Sequence, residues 1–403
     1  MPLLKFWKHD GPSVLSMNIE QIVASAGDGK LKDESECSRE LREFLGEAPT
    51  SALRQFADYC LSTPFQKSGQ VLQDVVNELG RRLDFDVSNG RYQGTTNAIG
   101  SDGLWRDPDG HGIVVEVKTT DAYRISLGVI AGYRDRHAVS GALGTPNSML
   151  IVVGREDTGE LEAQVRGSHY AWDMRLISVD ALLRLVDLKE STEEEVTALK
   201  IRGLLRPCEF TRLDELIDVL FTAAKDVEEA APEPAPGSDT SGNSGWEFTA
   251  PALLSAKRDA IVSAVSRILS RTLIRKTRAT YWDSDKTVRA VCTISKRYNR
   301  EQSAAYWYAY HPAWDDFLSA GQKGVFVLGA MDIDICFVIP HEVLKVHLAE
   351  LNTTEKSDGT VYWHVKVLEP SAGAYFLQMA KTGTHLALVQ YQVSVGAIRR
   401  GEK

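Results

Sequence analysis

Residues 101–120 read SDGLWRDPDGHGIVVEVKTT, two short apolar segments joined by a tight turn. The turn chemistry is specific, because Pro108 suits the first corner and Gly110 can adopt the left-handed conformation that closes a three-residue hairpin loop. The sequence therefore predicts a β-hairpin in which Asp107 pairs with His111.

Two carboxylates meet in this register, because Asp102 falls opposite Glu116. Side chains alternate along a strand, so Lys118 shares a face with Glu116, while the other face is apolar and enters the core through Ile113, Val115 and Val117. Carboxylates about 5 Å apart repel each other, and a cation between them removes that cost. Carboxylate oxygens with a backbone carbonyl suit Mg²⁺ or Mn²⁺, and a metal, water and lysine together predict phosphodiester hydrolysis. The alternative is a surface hairpin with solvated charges.

The sequence around the hairpin alternates between helical and strand patterns. The hairpin strands are predicted over 97–106 and 112–119, further strands over 148–153 and 175–179, and helices over 38–45, 51–61, 69–83, 125–133 and 158–171. Another helix is predicted to open at Ser191, with Glu194 completing a capping box, and a last one to span 211–224. This order predicts an α/β fold with a mixed sheet between helices.

At the hairpin the sequence resembles the PD-(D/E)xK nuclease superfamily, particularly bacterial restriction-type endonucleases. Asp102, in Gly-Ser-Asp-Gly-Leu-Trp, matches the acidic residue of the motif, and Glu-Val-Lys at 116–118 matches Glu-x-Lys. The resemblance covers about residues 65–185. It implies a restriction-endonuclease-like mixed sheet flanked by helices, with Mg²⁺ or Mn²⁺ bound by Asp102, Glu116 and the carbonyl of Val117, and with Lys118 as the catalytic lysine.

Relatives often carry a further acidic ligand early in the preceding helix. The matching position here is Gln73, and Glu78 lies over a turn further on, so both are candidate accessory residues. Four more residues flank the motif and are candidates for contact with a nucleic-acid backbone: Arg91, Gln93, Thr119 and Arg124. The alternative for these side chains is ordinary solvation.

The implied function is metal-dependent hydrolysis of DNA phosphodiester bonds by an endonuclease of bacterial restriction or anti-phage defence. Two alternatives stay open. The first is a catalytically inactive, nuclease-like module that binds nucleic acid, and the second is an RNA-cleaving nuclease of the same chemistry. DNA is the expected partner, and a homodimer is expected if the cut is palindromic, since that needs two active sites.

A flexible linker is predicted over residues 227–245, where Pro, Gly, Ser and acidic residues leave little to bury. Residues 246–403 after it carry 20 basic and 15 acidic side chains, although the whole chain has a net charge of −9. The predicted organisation is a helical region (1–64), a nuclease core (65–188), a helical extension (189–226), the linker, and a C-terminal α+β domain (246–403).

The C-terminal domain is predicted to begin with a helix over 252–278. One stripe of this helix is apolar, and the opposite face carries Arg267, Arg271, Arg275 and Arg278. Arginines without acidic neighbours suit phosphate contacts, the alternative being a solvated face. We expect this domain to recognise the target or to sense a signal.

Composition places the chain among soluble globular proteins, with 43% hydrophobic and 25% charged residues. The five cysteines are scattered and form no CxxC pair, so neither a disulfide framework nor a zinc site is expected, and a reducing cytoplasm fits. The sequence shows no signal peptide and no run of about 18 apolar residues. We therefore expect a cytoplasmic protein without a membrane segment.

Overall fold

In the computed structural model of the protein, the predicted hairpin lies inside a five-stranded mixed sheet. Its strands, in order across the sheet, are β1 (Asp86–Asn89), β2 (Gly103–Arg106), β3 (Gly112–Lys118), β4 (Asn147–Val153) and β5 (Met174–Ser178). The first three strands are antiparallel, whereas β4 and β5 run parallel to β3. The predicted mixed α/β architecture is confirmed at this level.

The structure describes residues 3–63, 65–93, 99–119, 125–154, 159–192, 195–206, 251–298, 305–355 and 361–396. The chain forms two units, Met1–Ala230 and Ala231–Lys403. The predicted linker and the predicted helix over 211–224 lie outside the described residues, as does Glu194. Among the described helices, none is both long and apolar enough to cross a membrane.

Helices cover both faces of the five-stranded sheet. They are α1 (Leu3–His9), α2 (Gly11–Leu15), α3 (Ile19–Ser25), α4 (Glu36–Glu47), α5 (Thr50–Ser62), α6 (Ser68–Arg82), α7 (Leu127–Val139), α8 (Gly159–Arg166), α9 (Val179–Ser191) and α10 (Glu195–Gly203). The bounds of α4, α5 and α6 agree with the predicted bounds within two residues, because their apolar residues recur at three- and four-residue steps.

The sheet separates two hydrophobic cores. On one face Ile113 and Val115 of β3 pack with α6 in a cluster that also contains residues of α1, α3, α4, α5 and α9. On the other face Val114 packs with α7 and with the apolar residues of β4 and α8. A central strand buried on both faces reads as a continuous apolar run, which is the pattern of Ile113–Val115. Glu116 and Lys118 follow that run on the Val114 face, and so they lie where the strand leaves the core.

The C-terminal unit begins with α11 (Pro251–Leu269) and also mixes helices with strands. Its strands are β6 (Ile274–Arg275), β7 (Thr280–Trp282), β8 (Val288–Ser295), β9 (Tyr306–Tyr310), β10 (Lys323–Ala330), β11 (Ile335–Pro340), β12 (Thr353–Glu355), β13 (Val361–Ser371), β14 (Ala374–Met379), β15 (Thr384–Ala387) and β16 (Gln392–Ser394). One sheet has the order β16-β11-β10-β8-β7-β6, and a second contains β12-β13-β14-β15 with β9 paired to β13. The remaining helices are α12 (Pro312–Ser319) and α13 (His341–His347), with short 3₁₀ turns at Leu348–Glu350 and Val389–Tyr391.

Two predicted elements of the N-terminal unit differ from the structure, and one short strand was not predicted. The strand predicted over 97–106 begins only at Gly103, and the short polar strand β1 was not predicted, because Asp, Ser and Asn are poor strand formers. The start predicted at Ser191 is wrong, although a helix, α10, does follow from Glu195. Ser191 is instead the last residue of α9, whose start is capped by the Ser178 side chain accepting a hydrogen bond from the Ala181 amide.

The arginine stripe predicted on one long helix is also wrong, because α11 ends at Leu269. Ser270 adopts a left-handed conformation with φ of 53°. Its amide donates to the Arg267 carbonyl, and the Arg271 amide donates to the Ser266 carbonyl. These two bonds form a Schellman motif, which stops the helix. Arg275 therefore lies on β6 instead of the helix.

Candidate active site

The hairpin has the predicted register. Arg106 pairs with Gly112 and Gly103 with Val115, and the Asp107 amide donates to the His111 carbonyl at 2.8 Å. The turn closes through Gly110, whose φ of 94° is left-handed as expected. Because turn chemistry and apolar alternation agree on one register, the sequence alone was enough to place it.

Asp102 lies just before β2 and turns its carboxylate toward the end of β3. Its amide donates to the Val115 carbonyl at 3.1 Å, and its Oδ2 accepts a 2.7 Å bond from the Val117 amide. The main chain and the side chain of Asp102 are thus both tied to β3. This brings Asp102 beside Glu116 and Lys118, as the sequence predicted.

The carbonyl oxygen of Asp102 accepts three hydrogen bonds, each of 2.9 Å. The donors are the Gln73 and Asn77 side-chain amides, one turn apart on α6, and the Gly90 amide at the end of β1. Gln73 and Asn77 are both buried, and Asn77 Oδ1 also accepts a bond from the Trp105 indole. These contacts anchor the Asp102 peptide to α6 as well as to β3.

The chain around Asp102 is packed so closely that two of its neighbours must be glycine. A Cβ at position 103 would lie 2.2 Å from Asn77 Oδ1, and a Cβ at position 90 would lie 2.0 Å from the Ser101 carbonyl oxygen. Both distances are shorter than any van der Waals contact, so a side chain at position 103 would push the chain away from α6, and one at position 90 would push it away from the Ser101–Asp102 backbone. The Asp-Gly pair at 102–103 is therefore explained by packing.

Glu116 is buried, with 8% of its surface exposed. Its Oε1 accepts a 2.5 Å bond from Lys118 Nζ, but its Oε2 is buried and has no hydrogen-bond partner among the described residues. A buried carboxylate oxygen without a partner is costly, and such atoms are rare in folded proteins. Its presence beside a second carboxylate fits a site that is completed by a cation.

The ionisation of the site reflects this crowding. Burial and the nearby charge of Glu116 raise the pKa of Asp102 to about 7, although the Val117 amide and Lys118 act in the opposite direction. Burial alone would lower the pKa of Lys118, but the charge and hydrogen bond of Glu116, with a contribution from Asp102, raise it on balance. Lys118 is therefore an ammonium group at neutral pH.

The donor set suits a hard divalent cation with few protein ligands. Within the described parts of the chain, no group of three or more His, Cys, Asp or Glu side chains converges. Two carboxylates and a backbone carbonyl supply oxygen only, which matches Mg²⁺ or Mn²⁺ bound through one or two carboxylates together with waters and substrate phosphate. Asp102, Glu116 and the Val117 carbonyl would be the ligands.

The two accessory candidates occupy different surroundings. The Gln73 side-chain amide reaches the site and donates to the Asp102 carbonyl, so this position provides a hydrogen-bond donor where relatives often provide an acidic ligand. Glu78 is held by Arg82 at 3.2 Å and Arg81 at 3.4 Å, so it belongs to a buried ion pair of α6.

The predicted backbone-contact residues are only partly brought together. Arg91 pairs with Asp33 at 3.8 Å, and Gln93 is exposed beside it. Thr119 follows Lys118, and its methyl group would touch a Cβ placed at Gly69 on α6, whereas Arg124 lies outside the described residues.

The four arginines that were predicted to share one helix face do not form one surface. Arg271 pairs with Asp283 and Asp285, and Arg275 pairs with Asp259. Arg267 is exposed on α11, and Arg278 lies in the turn before β7. The absence of acidic neighbours, on which the phosphate-contact prediction depended, therefore does not hold for Arg271 and Arg275.

Three side chains near the site were not predicted. Asn77 is one, and its position four residues after Gln73 on a helix is the signal that could have identified it. The other two are Ser101 and His137, whose Oγ and Nε2 atoms lie 2.9 Å apart, while Nδ1 of His137 is buried without a partner among the described residues. This pair was not predicted because the two residues lie 36 positions apart in the sequence and meet only through the packing of α7.

In comparisons with known proteins, no family model matches the chain, and no curated protein matches it.

Proposed function

We propose that this chain is a metal-dependent endonuclease that hydrolyses phosphodiester bonds of DNA. The observation that carries the proposal is that Asp102 and Lys118 lie beside Glu116, whose buried Oε2 has no hydrogen-bond partner in the described part of the chain. The resemblance of the same residues to the nuclease motif supports it.

Each residue has a chemical role in this proposal. A bound Mg²⁺ or Mn²⁺ would neutralise charge on the phosphate and make water a stronger nucleophile. Asp102 and Glu116 hold two anionic oxygens beside each other, and the Val117 carbonyl adds a neutral one. As an ammonium group, Lys118 would donate hydrogen bonds that orient a water or stabilise charge on a phosphate oxygen.

The biological setting we propose is bacterial restriction or anti-phage defence in the cytoplasm. A homodimer would bring two sites to a palindromic target. Both statements depend on the motif resemblance.

A second candidate is a module that binds nucleic acid without cutting it. The observation in its favour is that α6 supplies amides at Gln73 and Asn77, where relatives often supply an acid. Metal binding separates the two candidates, because a module without catalysis has no need of the Asp102–Glu116 pair as ligands.

The test measures cleavage of plasmid DNA, linear DNA and RNA with Mg²⁺. We expect Asp102→Ala, Glu116→Ala and Lys118→Ala each to lower the DNA cleavage rate by more than about 100-fold, with native circular dichroism. Asp86→Ala is the matched control, since Asp86 is an exposed acid of the same sheet.

Undiminished cleavage by the three variants would contradict the proposal. Binding of nucleic acid by a wild type that neither binds Mg²⁺ nor cleaves would favour the binding module, and cleavage confined to RNA would favour the RNA-cleaving alternative.

A further inference from the structure

Three cations surround one tryptophan in the C-terminal unit. The Nζ atoms of Lys276 and Lys286 lie 5.0 and 4.9 Å from the centroid of the Trp282 indole, and the guanidinium carbon of Arg289 lies 5.9 Å from it. Phe317 of α12 completes the group, with its ring centroid 6.1 Å from that of Trp282. We name these side chains the Trp282 cluster.

The β7–β8 hairpin builds this cluster. Trp282 and Arg289 are direct cross-strand partners, so their side chains project from the same face. Lys286 lies in the connecting turn with a left-handed φ of 59°, a conformation that a lysine rarely adopts. Arg289 is held in place because its guanidinium donates to the Phe317 carbonyl near the end of α12.

The acidic residues of the turn do not neutralise Lys286 or Arg289. Asp283 is buried and accepts bonds from Thr287 and Val288, and Asp285 pairs with Arg271 at 3.8 Å. Among the described residues, neither Lys286 nor Arg289 forms an ion pair with a carboxylate.

Cations gathered at this spacing repel one another, and one indole ring compensates only part of that cost. An anion bound at the cluster would attract each cation and so offset the repulsion between them. Lys286 is exposed, and Trp282 and Arg289 are partly exposed, so solvent and ligands reach the group. Cations beside an accessible indole match the combination that contacts phosphates and stacks bases in single-stranded nucleic acid.

We propose that the Trp282 cluster is a nucleic-acid contact surface, with Lys286 and Arg289 on the phosphodiester backbone and Trp282 against a base. The choice of nucleic acid as the occupant rests on the proposed nuclease function, although the surface lies in the other unit. It replaces the arginine stripe on α11 as the basic surface of the C-terminal unit.

The test uses the full chain in EDTA, so that binding is measured without cleavage. Fluorescence anisotropy with a labelled 30-nucleotide single-stranded DNA, over a series of salt concentrations, gives the affinity and its salt dependence. We expect Lys286→Glu to weaken binding roughly tenfold and Lys286→Ala to reduce the slope of log K against log salt by about one. Lys381→Glu is the control, because it makes the same charge change at an exposed position between β14 and β15.

A second measurement reports direct contact. DNA binding is expected to quench tryptophan emission of the wild type, and Trp282→Phe should remove most of that change while circular dichroism stays native. Equal affinities of the wild type and Lys286→Glu would overturn the inference, as would absence of binding by the wild type. Loss of affinity in Lys286→Glu without any nuclease activity in the wild type would leave the surface intact and reject only the nuclease proposal.

Discussion

Asp102 shows most directly how the candidate site departs from what stability alone would select. Its carboxylate is placed next to the buried Glu116, and the pKa of Asp102 rises to about 7 as a result of burial and the Glu116 charge. A group kept in such surroundings by five hydrogen bonds to its backbone and side chain is held there by the fold. Strain of this kind is typical of functional sites, where activity and stability are in conflict.

Replacing Asp102 with asparagine should therefore stabilise the metal-free protein. The folded-state pKa lies above the ordinary 3.8, so the folded state binds the proton more tightly than the unfolded state. The wild type then loses stability as the pH rises from about 4 to 7, and the loss persists above 7. At pH 8 in EDTA we expect Asp102→Asn to unfold with a free energy about 1–3 kcal/mol higher than the wild type, measured by urea denaturation.

The pH profile and the metal response check this assignment. Below pH 4 the two proteins should differ little, because Asp102 is then protonated in both states. With Mg²⁺ at about 100 times its Kd, the wild type should gain about 2.7 kcal/mol, and the variant should gain much less. An advantage for Asp102→Asn that did not change with pH would contradict the assignment.

Gln73 offers a second prediction on the same site. Because its amide donates to the Asp102 carbonyl, we expect it to act by positioning Asp102. Gln73→Ala should raise the Mn²⁺ dissociation constant by about 10–100-fold, measured by calorimetry, and saturating metal should restore most of the cleavage rate. Gln73→Glu replaces the donor with an acceptor and should be at least as harmful. A rate loss in Gln73→Ala that metal cannot restore would contradict a positioning role.

Elements whose local signals agree were predictable from the sequence. The hairpin register follows from Pro108, Gly110 and the apolar alternation of β3, and α6 follows from its helical spacing. Both sets of signals are local. By contrast, helical spacing places Asn77 on the same face as Gln73, but its bond to the Asp102 carbonyl depends on how α6 packs over the sheet.

The end of α11 was missed because its terminator is unusual. Helices commonly stop at a left-handed glycine, but here the left-handed residue is Ser270. The arginines beyond it continue the helical spacing by coincidence, and the prediction followed them to residue 278. The spacing of the arginines therefore led to a predicted helix that is too long, because the left-handed conformation of Ser270 that ends it cannot be read from the sequence.

Ser270→Gly should consequently stabilise the C-terminal unit. Glycine adopts the left-handed conformation without the Cβ penalty, and Ser270 is exposed. We expect the free energy of unfolding to rise by about 0.5–1 kcal/mol, measured by chemical denaturation. Ser263→Gly is the control, because Ser263 is exposed inside the same helix and glycine there should destabilise by about 0.5–1 kcal/mol. If both substitutions changed the free energy of unfolding in the same direction, the left-handed conformation of Ser270 in the Schellman motif would not explain the effect of Ser270→Gly.

For the whole molecule, the two units differ in both charge and core. The clusters that pack the five-stranded sheet contain residues from Leu3 to Leu205, whereas those of the second unit contain residues from Ile261 to Val395. The net charge of −9 hides a basic excess in residues 246–403. The proposed division of labour therefore assigns cutting to the acidic unit and contact with the nucleic-acid backbone to the basic one.

Separate cores predict separate unfolding of the full chain. Calorimetric heating should resolve two transitions, because each hydrophobic core is lost as a cooperative unit. Mg²⁺ should raise only the transition of the N-terminal unit, since Asp102 and Glu116 belong to it. Ser270→Gly should raise only the other transition, by about 2–5 °C. If one transition shifted with both perturbations, the two units would unfold together, and the energetic separation of cutting from contact would be wrong.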